Sequence, residues 1–209
     1  FLETKSFKKI LIIVHKDYYK MTKKIFNNSS IDFVKGGSTR QESVYNGLIK
    51  AKKLNVENVL IHDAARPLVT KKLILNILKN LDNKDCVIPM LNIKDSIRKL
   101  SSKEYQDIDR KFIKVIQTPQ GFKFKTILNA HQLLKNKSFT DDSILASKCG
   151  KKINMIKGEI KNFKITTKED LIMARKLEND SKKLVDIRVG NGLDIHQFED
   201  GTKLILFGL

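Results

Sequence analysis

The sequence predicts an α/β fold, a mostly parallel sheet covered by helices on both faces, and three observations support this prediction. Short β-rich apolar runs alternate with helical segments from Lys8 to Met90, as in a series of β–α units. Glycine or charged residues follow the ends of several of these runs, which is typical of a ligand-binding sheet edge. With 41% hydrophobic and 31% charged residues, the composition is that of a globular protein with a core.

The first half of the chain alternates predicted strands and helices. The strands are expected over residues 8–15, 31–37, 57–63 and 85–90, and the helices over 17–26, 39–54 and 70–81. Thr39 and Glu42, at the start of the second helix, have the spacing of a capping box. Because parallel strands end at the same edge of a sheet, Gly37 and the segment 63–66 are expected to lie together.

The middle of the chain departs from this alternation. Residues 93–100 and 111–118 alternate polar and apolar side chains and are predicted to pair as a two-stranded ribbon around the polar loop 101–110. An isolated ribbon is marginally stable in water, so we expect it to lie against a second subunit. The remaining predicted elements are a helix over 122–134 with Pro119 at its first turn, a helix from 141 capped by Thr140, a strand over 153–158 and a helix over 168–179.

A polar segment over 179–184 is predicted to be a linker, with a domain boundary near Lys182. This boundary divides the chain into a first domain over 1–182 and the start of a second, strand-rich domain over 183–209. The chain begins at Phe1, without an initiator methionine, and stops directly after a strand-like run. We therefore expect it to be a fragment of a longer protein.

The net charge of +18 suggests an anionic partner, but its distribution argues against nucleic acid. Most of the 41 cationic residues are lysines scattered along the chain, without the interleaved aromatics that stack bases. A nucleotide or sugar phosphate would still be attracted. The sequence has no secretory leader and no apolar run of the roughly 20 residues that span a membrane, so we expect a cytoplasmic protein without membrane contact. Cys86 and Cys149 are expected to be reduced, buried thiols without a role.

Residues with chemical potential follow three of the strand-like segments. Gly37 precedes a helix N-terminus, where free N–H groups favour anions, although a Gly-Gly pair also suits an ordinary turn. Asp63 could hold a divalent cation or a ribose hydroxyl and Arg66 could bind a phosphate, or the two could form an ion pair at the sheet edge. Lys164 could be solvated or could face a phosphate. By strand alternation, His62 points away from Asp63 and is expected to be a supporting residue.

Six segments, taken in order, carry a family resemblance. They are "GGSTRQESVYNGL", "VLIHDAARPLV", "KDSIRKL", "QTPQGF", "TDDS" and "NFKITTKEDL". Together they closely resemble the 2-C-methyl-D-erythritol 4-phosphate cytidylyltransferase family of the non-mevalonate isoprenoid pathway, over roughly residues 1–180. The resemblance implies a Rossmann-like nucleotidyltransferase fold with a protruding β-ribbon dimerisation arm, and hence a homodimer.

The family's reaction joins CTP and 2-C-methyl-D-erythritol 4-phosphate in the presence of Mg²⁺ and releases pyrophosphate. The resemblance implies that Lys164 stabilises charge at the reacting phosphates and that Arg110 reaches into the neighbouring subunit's site. The implied CTP-binding residues are Gly37, Ser38, Ser43 and Asp63. The implied substrate-binding residues are Arg66, Ser96, Arg110, Thr140 and Lys164, and the implied catalytic residues are Asp63, Arg110 and Lys164.

The tail "IRVGNGLDIHQFEDGTKLILFG" resembles the opening strand and hairpin of the 2-C-methyl-D-erythritol 2,4-cyclodiphosphate synthase family. In that family a D-x-H pair binds Zn²⁺ or a similar divalent metal, and the resemblance implies that Asp194 and His196 are those ligands here. The order of the two resemblances implies a bifunctional enzyme whose second part is a lyase. Such a full-length protein could assemble beyond a dimer.

The resemblance also indicates a missing part. The family's glycine-rich basic loop, which wraps the triphosphate, would lie before Phe1, and losing such cations costs orders of magnitude in rate. We therefore expect this 209-residue piece alone to be inactive. Two alternatives stay open: a cytidylyltransferase that acts on ribitol phosphate, and a non-catalytic module that binds nucleotides or nucleic acid. The cyclodiphosphate-synthase-like tail favours the methylerythritol enzyme, whereas steeply salt-dependent DNA binding would favour the module.

Overall fold

The computed structural model describes residues 1–26, 28–100 and 104–183, and within them the chain is an α/β protein. The strands are β1 (Ile10–Val14), β2 (Ile31–Lys35), β3 (Asn58–Ile61), β4 (Cys86–Asn92), β5 (Ile97–Leu100), β6 (Tyr105–Ile108), β7 (Lys114–Ile116), β8 (Gln120–Lys123) and β9 (Asn154–Lys157). The helices are α1 (Tyr19–Ile25), α2 (Arg40–Lys52), α3 (Lys71–Leu81), α4 (Phe124–Leu133), α5 (Asp142–Lys148) and α6 (Lys168–Lys183). None of the described helices is long and apolar enough to cross a bilayer.

The main sheet is built around β4. Strand β8 runs antiparallel between β3 and β4, so β3 and β4 point the same way, and β9 pairs with β4 in parallel. Beyond the end of β8, β7 continues along the same side of β4. Strands β1 and β2 form a separate parallel pair. The predicted α/β class and its parallel frame are confirmed, and the antiparallel strands β7 and β8 are additions to that frame.

Helices cover both faces of the main sheet. Adjacent residues of a strand point to opposite faces, and Cys86 packs with α2, α4 and α5 while Val87 packs with α3. Gly121 lets α3 approach closely, because a Cβ at this position would lie 2.5 Å from Ile77 Cγ2 and 2.7 Å from Leu81 Cδ1. The core on both faces holds the strand ends, and therefore the residues that follow them, in fixed positions.

The ribbon prediction is wrong in its pairing. Strand β5 pairs with β6, which lies inside the predicted polar loop, and the other half of the predicted ribbon supplies β7 to the main sheet. Strand β4 runs on past β8 to Asn92, and β7 satisfies the backbone groups of that extension by pairing with Met90–Asn92. The β5–β6 hairpin and the short turn Arg110–Phe112 after it form a projection that we call the arm. The sequence of β6, "YQDI", does not alternate apolar and polar residues, so hydrophobic alternation could not indicate this strand.

Three further predictions are corrected at element ends. Pro119 does not begin a helix but links β7 to β8, where its missing N–H interrupts no ladder, and α4 starts later, at Phe124. The cap of α5 is Asp141, whose Oδ1 accepts from the N–H of Ser143 at 2.8 Å, and not Thr140, because the helix starts one residue later than predicted. The polar stretch predicted as a linker is helical as far as Lys183, since polar residues suit an exposed helix equally well. The domain boundary itself stays a prediction.

The two cysteines are both free. Cys86 is fully buried, and burial together with the nearby Asp85 raises the pKa of its thiol to about 11. Cys149 is half-buried. The predicted reduced, buried thiol is therefore found at Cys86, and neither cysteine lies near the strand ends described below.

Candidate functional site

Asp63 lies just beyond the end of β3 and holds two cations. Its Oδ1 accepts from Arg40 Nε at 3.2 Å, and its Oδ2 accepts from Lys164 Nζ at 3.1 Å. Its own N–H donates to Thr118 Oγ1 at 3.0 Å, which ties it to the β7–β8 link. The structure therefore brings together Asp63 and Lys164, two of the three predicted catalytic residues, from distant parts of the sequence.

The electrostatic surroundings favour the charged form of Asp63. Burial disfavours the carboxylate, but the charge of Arg40 and the hydrogen bond and charge of Lys164 outweigh burial, so the pKa of Asp63 lies below its usual value. Only 17% of the Asp63 side chain is exposed, whereas Lys164 is 44% exposed. Asp63 is thus a constant negative charge at neutral pH, with a more mobile cation beside it.

Arg40 is the main site residue that the sequence analysis missed. It begins α2 and contacts Asp63 through Nε, while its Nη1 lies 2.8 Å from Oδ2 of the fully buried Asp142. Burial lowers the pKa of Arg40, but the charges of Asp142 and Asp63 and the hydrogen bond to Asp63 outweigh it and raise the pKa. A signal was present: a cation in the first turn opposes the helix dipole, which indicates a specific anionic partner.

Three of the predicted CTP-binding residues lie where α2 begins, Gly37 and Ser38 in the turn ahead of the helix and Ser43 in its first turns. The N–H of Gly37 donates to Ser43 Oγ at 3.0 Å, and the N–H and Oγ of Ser38 both donate to Glu42 Oε2, at 2.8 and 2.6 Å. These bonds from Ser38 lower the pKa of Glu42. A Cβ at Gly37 would lie 2.2 Å from Glu42 Cγ, so this turn requires glycine. Thr39 caps α2 as predicted, accepting from the N–H of Glu42 at 3.1 Å.

Arg66 is buried and directed away from Asp63. Its Nη1 donates to the carbonyl of Asn162 at 2.8 Å and its Nη2 to that of Ile116 at 3.4 Å, and burial lowers its pKa against the opposing charge of Asp63. The ion pair predicted as an alternative is not formed, since the described ion-pair partners of Asp63 are Arg40 and Lys164. One of its five N–H groups therefore holds the segment that presents Lys164, and another holds the end of β7.

His62 supports the site and does not face it, as predicted. Thr118 Oγ1 accepts from the N–H of Asp63, so its own proton is available to His62 Nδ1, 3.0 Å away. The other ring nitrogen, Nε2, then carries a proton that it donates to the carbonyl of Arg66 at 3.0 Å. Burial lowers the pKa of His62, in keeping with this neutral tautomer assigned from the network.

The remaining predicted site residues lie at two places. Thr140 is exposed and lies two residues before Asp142, which contacts Arg40. Ser96 lies exposed just before β5, and Arg110 begins the short helical turn after β6, where its Nη1 donates to the carbonyl of Lys94. Ser96 and Arg110 therefore sit together at the base of the arm, not beside Asp63 of their own chain.

No described part of the chain gathers three or more histidine, cysteine or acidic side chains in a way that could hold a metal ion. Asp63 offers a single carboxylate at the sheet edge, whereas Asp142 is buried and already paired with Arg40. The predicted zinc ligands Asp194 and His196 lie outside the described residues.

A family model described as "IspD: 2-C-methyl-D-erythritol 4-phosphate cytidylyltransferase" matches residues 1–178 of the chain. Among curated proteins, the chain is 38% identical over 204 residues to the "Bifunctional enzyme IspD/IspF" of Pelagibacter ubique (strain HTCC1062). That match covers 98% of this chain and 52% of the relative. The chain thus spans about half the length of the curated relatives it matches.

Solved structures agree with this match. A 4-diphosphocytidyl-2C-methyl-D-erythritol synthase from Anaerococcus prevotii is 31% identical and superposes with a TM-score of 0.77, covering 85% of this chain and 84% of the other. The bifunctional IspDF from Campylobacter jejuni is 36% identical with a TM-score of 0.69, covering 81% of this chain and 42% of the other. The fold is therefore similar to that of these known proteins.

Proposed function

Because this chain belongs to the 2-C-methyl-D-erythritol 4-phosphate cytidylyltransferase family, we propose that the protein transfers CMP from CTP to 2-C-methyl-D-erythritol 4-phosphate. The products are 4-diphosphocytidyl-2-C-methyl-D-erythritol and pyrophosphate, in non-mevalonate isoprenoid precursor biosynthesis. The observation that carries the proposal is the contact between Asp63 and Lys164, 3.1 Å apart at the sheet edge. The turn of Gly37 and Ser38 stands at the start of α2, the helix that supplies Arg40 to the same carboxylate.

In this reaction an oxygen of the substrate phosphate attacks the α-phosphorus of CTP in line. A bond forms between that oxygen and the α-phosphorus, and the bond from the α-phosphorus to the oxygen of the departing pyrophosphate breaks. The protein mainly positions groups and offsets charge. Lys164, with a long and partly exposed side chain, neutralises the phosphates, and Asp63 orients the reacting groups and Lys164. Thr140 contacts the methylerythritol phosphate, and Arg66 supports that side of the site from behind, by holding the segment of Asn162 that leads to Lys164.

The chemistry of the site fits Mg²⁺ as the resident metal. Mg²⁺ is usually held by one or two carboxylates together with substrate phosphates, and Asp63 is a single, ionised carboxylate at the sheet edge. When bound, the ion offsets the negative charge of the triphosphate. Asp63 would hold it, whereas Lys164, the other partner of the same Oδ2 atom, would turn to the phosphates.

The nucleotide end of the site is assigned to the turn before α2. Gly37 offers main-chain groups to the cytosine, and Ser38 and Ser43 offer hydroxyl groups whose present partners, Glu42 and Gly37, lie within the same turn. A base that hydrogen-bonds here exchanges internal hydrogen bonds for bonds to the ligand. That exchange costs little, because no buried polar group is left without a partner.

The arm is assigned to assembly. Leu100, Tyr105 and Phe112 are 71%, 74% and 82% exposed, an unusual density of large apolar side chains on one small projection. We assign them to a homodimer interface that delivers Ser96 and Arg110 to the partner's site, where Arg110 would bind the substrate phosphate.

Residues 183–209 are assigned to the start of a cyclodiphosphate synthase domain that follows the cytidylyltransferase domain over 1–182. In the whole bifunctional protein, Asp194 and His196 would be two of its Zn²⁺ ligands, and that protein could form higher oligomers.

The test is a pyrophosphate-release assay on the full-length cytoplasmic protein that carries this chain. We expect release that requires CTP, methylerythritol phosphate and Mg²⁺, and little release with ribitol phosphate in its place. Preference for ribitol phosphate, or no release at all, would overturn the proposal. Residues 1–209 assayed alone should be inactive, and near-normal turnover would contradict the expected need for a preceding loop. Binding to random DNA at moderate salt should be absent.

A further inference from the structure

A chain of buried polar contacts lies behind Asp63. Arg40 reaches Asp63 with Nε and Asp142 with Nη1, and Asp142 Oδ1 in turn lies 3.0 Å from His131 Nε2. The His131 ring stacks on that of Tyr45, with centroids 6.3 Å apart. The side chains of Asp142 and His131 are 0% and 1% exposed, so the chain of contacts runs from the helix core out to the sheet edge.

A buried carboxylate is retained only where it is paired, because burying an unpaired charge is strongly unfavourable. Asp142 meets this condition with a histidine on one oxygen and an arginine on the other. Neither Asp142 nor His131 reaches the sheet edge. Among the described ion pairs, their link to the site is through Arg40.

The two cations on Asp63 are held in different ways. Lys164 meets Oδ2 with a single flexible ammonium on a side chain that is 44% exposed. Arg40 meets Oδ1 from the first turn of α2, and its planar guanidinium contacts two carboxylates at once. A lysine at this position would hold the two carboxylates less rigidly, because it offers a point charge on a flexible stem in place of a planar fork of donors. Arg40 is thus the fixed contact of Asp63, and Lys164 is the exchangeable one.

We propose that Arg40 is a positioning residue that, backed by Asp142 and His131, fixes the Asp63 carboxylate while Lys164 moves between Asp63 and the substrate phosphates. This inference rests on the proposed function of the same site. Without Arg40, the Asp63 carboxylate keeps only the flexible Lys164 among the charged partners that the described residues provide, and it follows that side chain. The reacting groups are then less well oriented, while the turn of Gly37 and Ser38 that binds the base stays in place.

The test is a double-mutant cycle in the full-length protein, measured by pyrophosphate release. We expect Arg40→Lys to lower kcat by about 10- to 100-fold, as is common for residues that orient a catalytic group, and to leave KM for CTP within about threefold. Because Arg40 acts through Asp63, Arg40→Lys should lower kcat by less than about twofold when Asp63→Asn is already present. Asp142→Asn, which keeps the shape but removes the charge, should lower kcat in the same direction. The exposed Arg175→Lys on α6 is the matched control and should leave kcat unchanged.

Crystal structures of the wild type and of Arg40→Lys provide a readout that does not depend on the substrate. The Asp63 carboxylate should turn away from its wild-type position in the variant. An unmoved carboxylate would overturn the inference, and so would a wild-type kcat in Arg40→Lys or effects of Arg40→Lys and Asp63→Asn that simply multiply. A full-length wild type without activity would instead overturn the proposed function, leaving the inference about Asp63 to be decided by the two structures.

Discussion

Two arginine–aspartate pairs in this protein have almost the same geometry and very different surroundings. At the site, Arg40 Nε lies 3.2 Å from Asp63 Oδ1, and on the arm, Arg98 Nε lies 3.1 Å from Asp107 Oδ1. The site pair is 34% and 17% exposed, whereas the arm pair is 66% and 87% exposed. Distance alone therefore does not distinguish the two pairs. Any difference in their strength must come from burial and from the side chains packed around each pair.

Asp142, His131 and the packed helices support the site pair, whereas the arm pair is mostly exposed to solvent. Coulomb attraction is weak where solvent screens it and strong where solvent is excluded. The site pair is accordingly held by buried contacts within one chain, whereas the arm pair is exposed and belongs to the part that we assign to assembly. We expect substitutions at the site to change catalysis and stability, and substitutions on the arm to change assembly.

The largest effect is expected at Lys164, the exchangeable cation of the site. Lys164→Ala removes a charge aimed at the reacting phosphates and should lower kcat in the full-length protein by about 10²- to 10³-fold, the usual result of deleting one such group. Unfolding should be almost unchanged, because the side chain is 44% exposed. Pyrophosphate release and a thermal melt measure the two. Lys161→Ala, an exposed lysine of the same segment, is the control, and an equal loss there would mean that general surface charge matters, not position.

The next effect is on stability, at the fixed cation. Arg40→Ala leaves the fully buried Asp142 with His131 as its remaining partner. We expect the free energy of unfolding to fall by about 2–3 kcal/mol, below the roughly 3–5 kcal/mol for a wholly buried pair, because Arg40 is one-third exposed and His131 remains. Urea unfolding measures it. A loss below about 0.5 kcal/mol would show that the site pair is no better held than the arm pair.

A third effect depends on pH and separates Asp63 from an exposed carboxylate. The pKa of Asp63 is lower in the folded state than its usual value, so the folded protein binds fewer protons there. Its contribution to stability is fully present above the unfolded pKa of about 4 and is lost as the pH falls through the lowered folded pKa. Asp63→Asn should therefore lower the melting temperature at pH 7 and lose that difference in acid, once the pH has fallen below the lowered folded pKa. A gap that is unchanged in acid, in metal-free buffer, would contradict this.

The same contrast explains what could be predicted from the sequence. Local pattern predicted most strands and helices, the cap at Thr39 and the sheet edge that carries Asp63 and Lys164. Strand β6 was missed because a solvated ribbon has no apolar alternation. The pairing of β7 with β4 was missed because the choice between two possible partners depends on the whole sheet.

Arg40 was missed for a related reason. Its partner Asp142 lies on a helix far along the chain, and nothing in the local sequence reports that contact. Arg66 shows the reverse case, because its residue type suggested a phosphate ligand while its position buried it against main-chain carbonyls. Sequence pattern thus predicted where the functional edge would be, and non-local packing decided which side chains face it.

The smallest effect is expected at the arm pair, and it tests the comparison most directly. Arg98→Ala should change the free energy of unfolding by no more than about 0.5 kcal/mol, because screening by water and the entropy of two long side chains cancel most of the attraction. Urea unfolding of Arg98→Ala, Asp107→Ala and the double variant gives the coupling energy. Phe112→Ser on the same arm should leave unfolding of the chain unchanged and weaken self-association in analytical ultracentrifugation, since its side chain is 82% exposed. A coupling energy as large as that of the Arg40–Asp63 pair would mean that geometry, and not burial, sets the strength of both pairs.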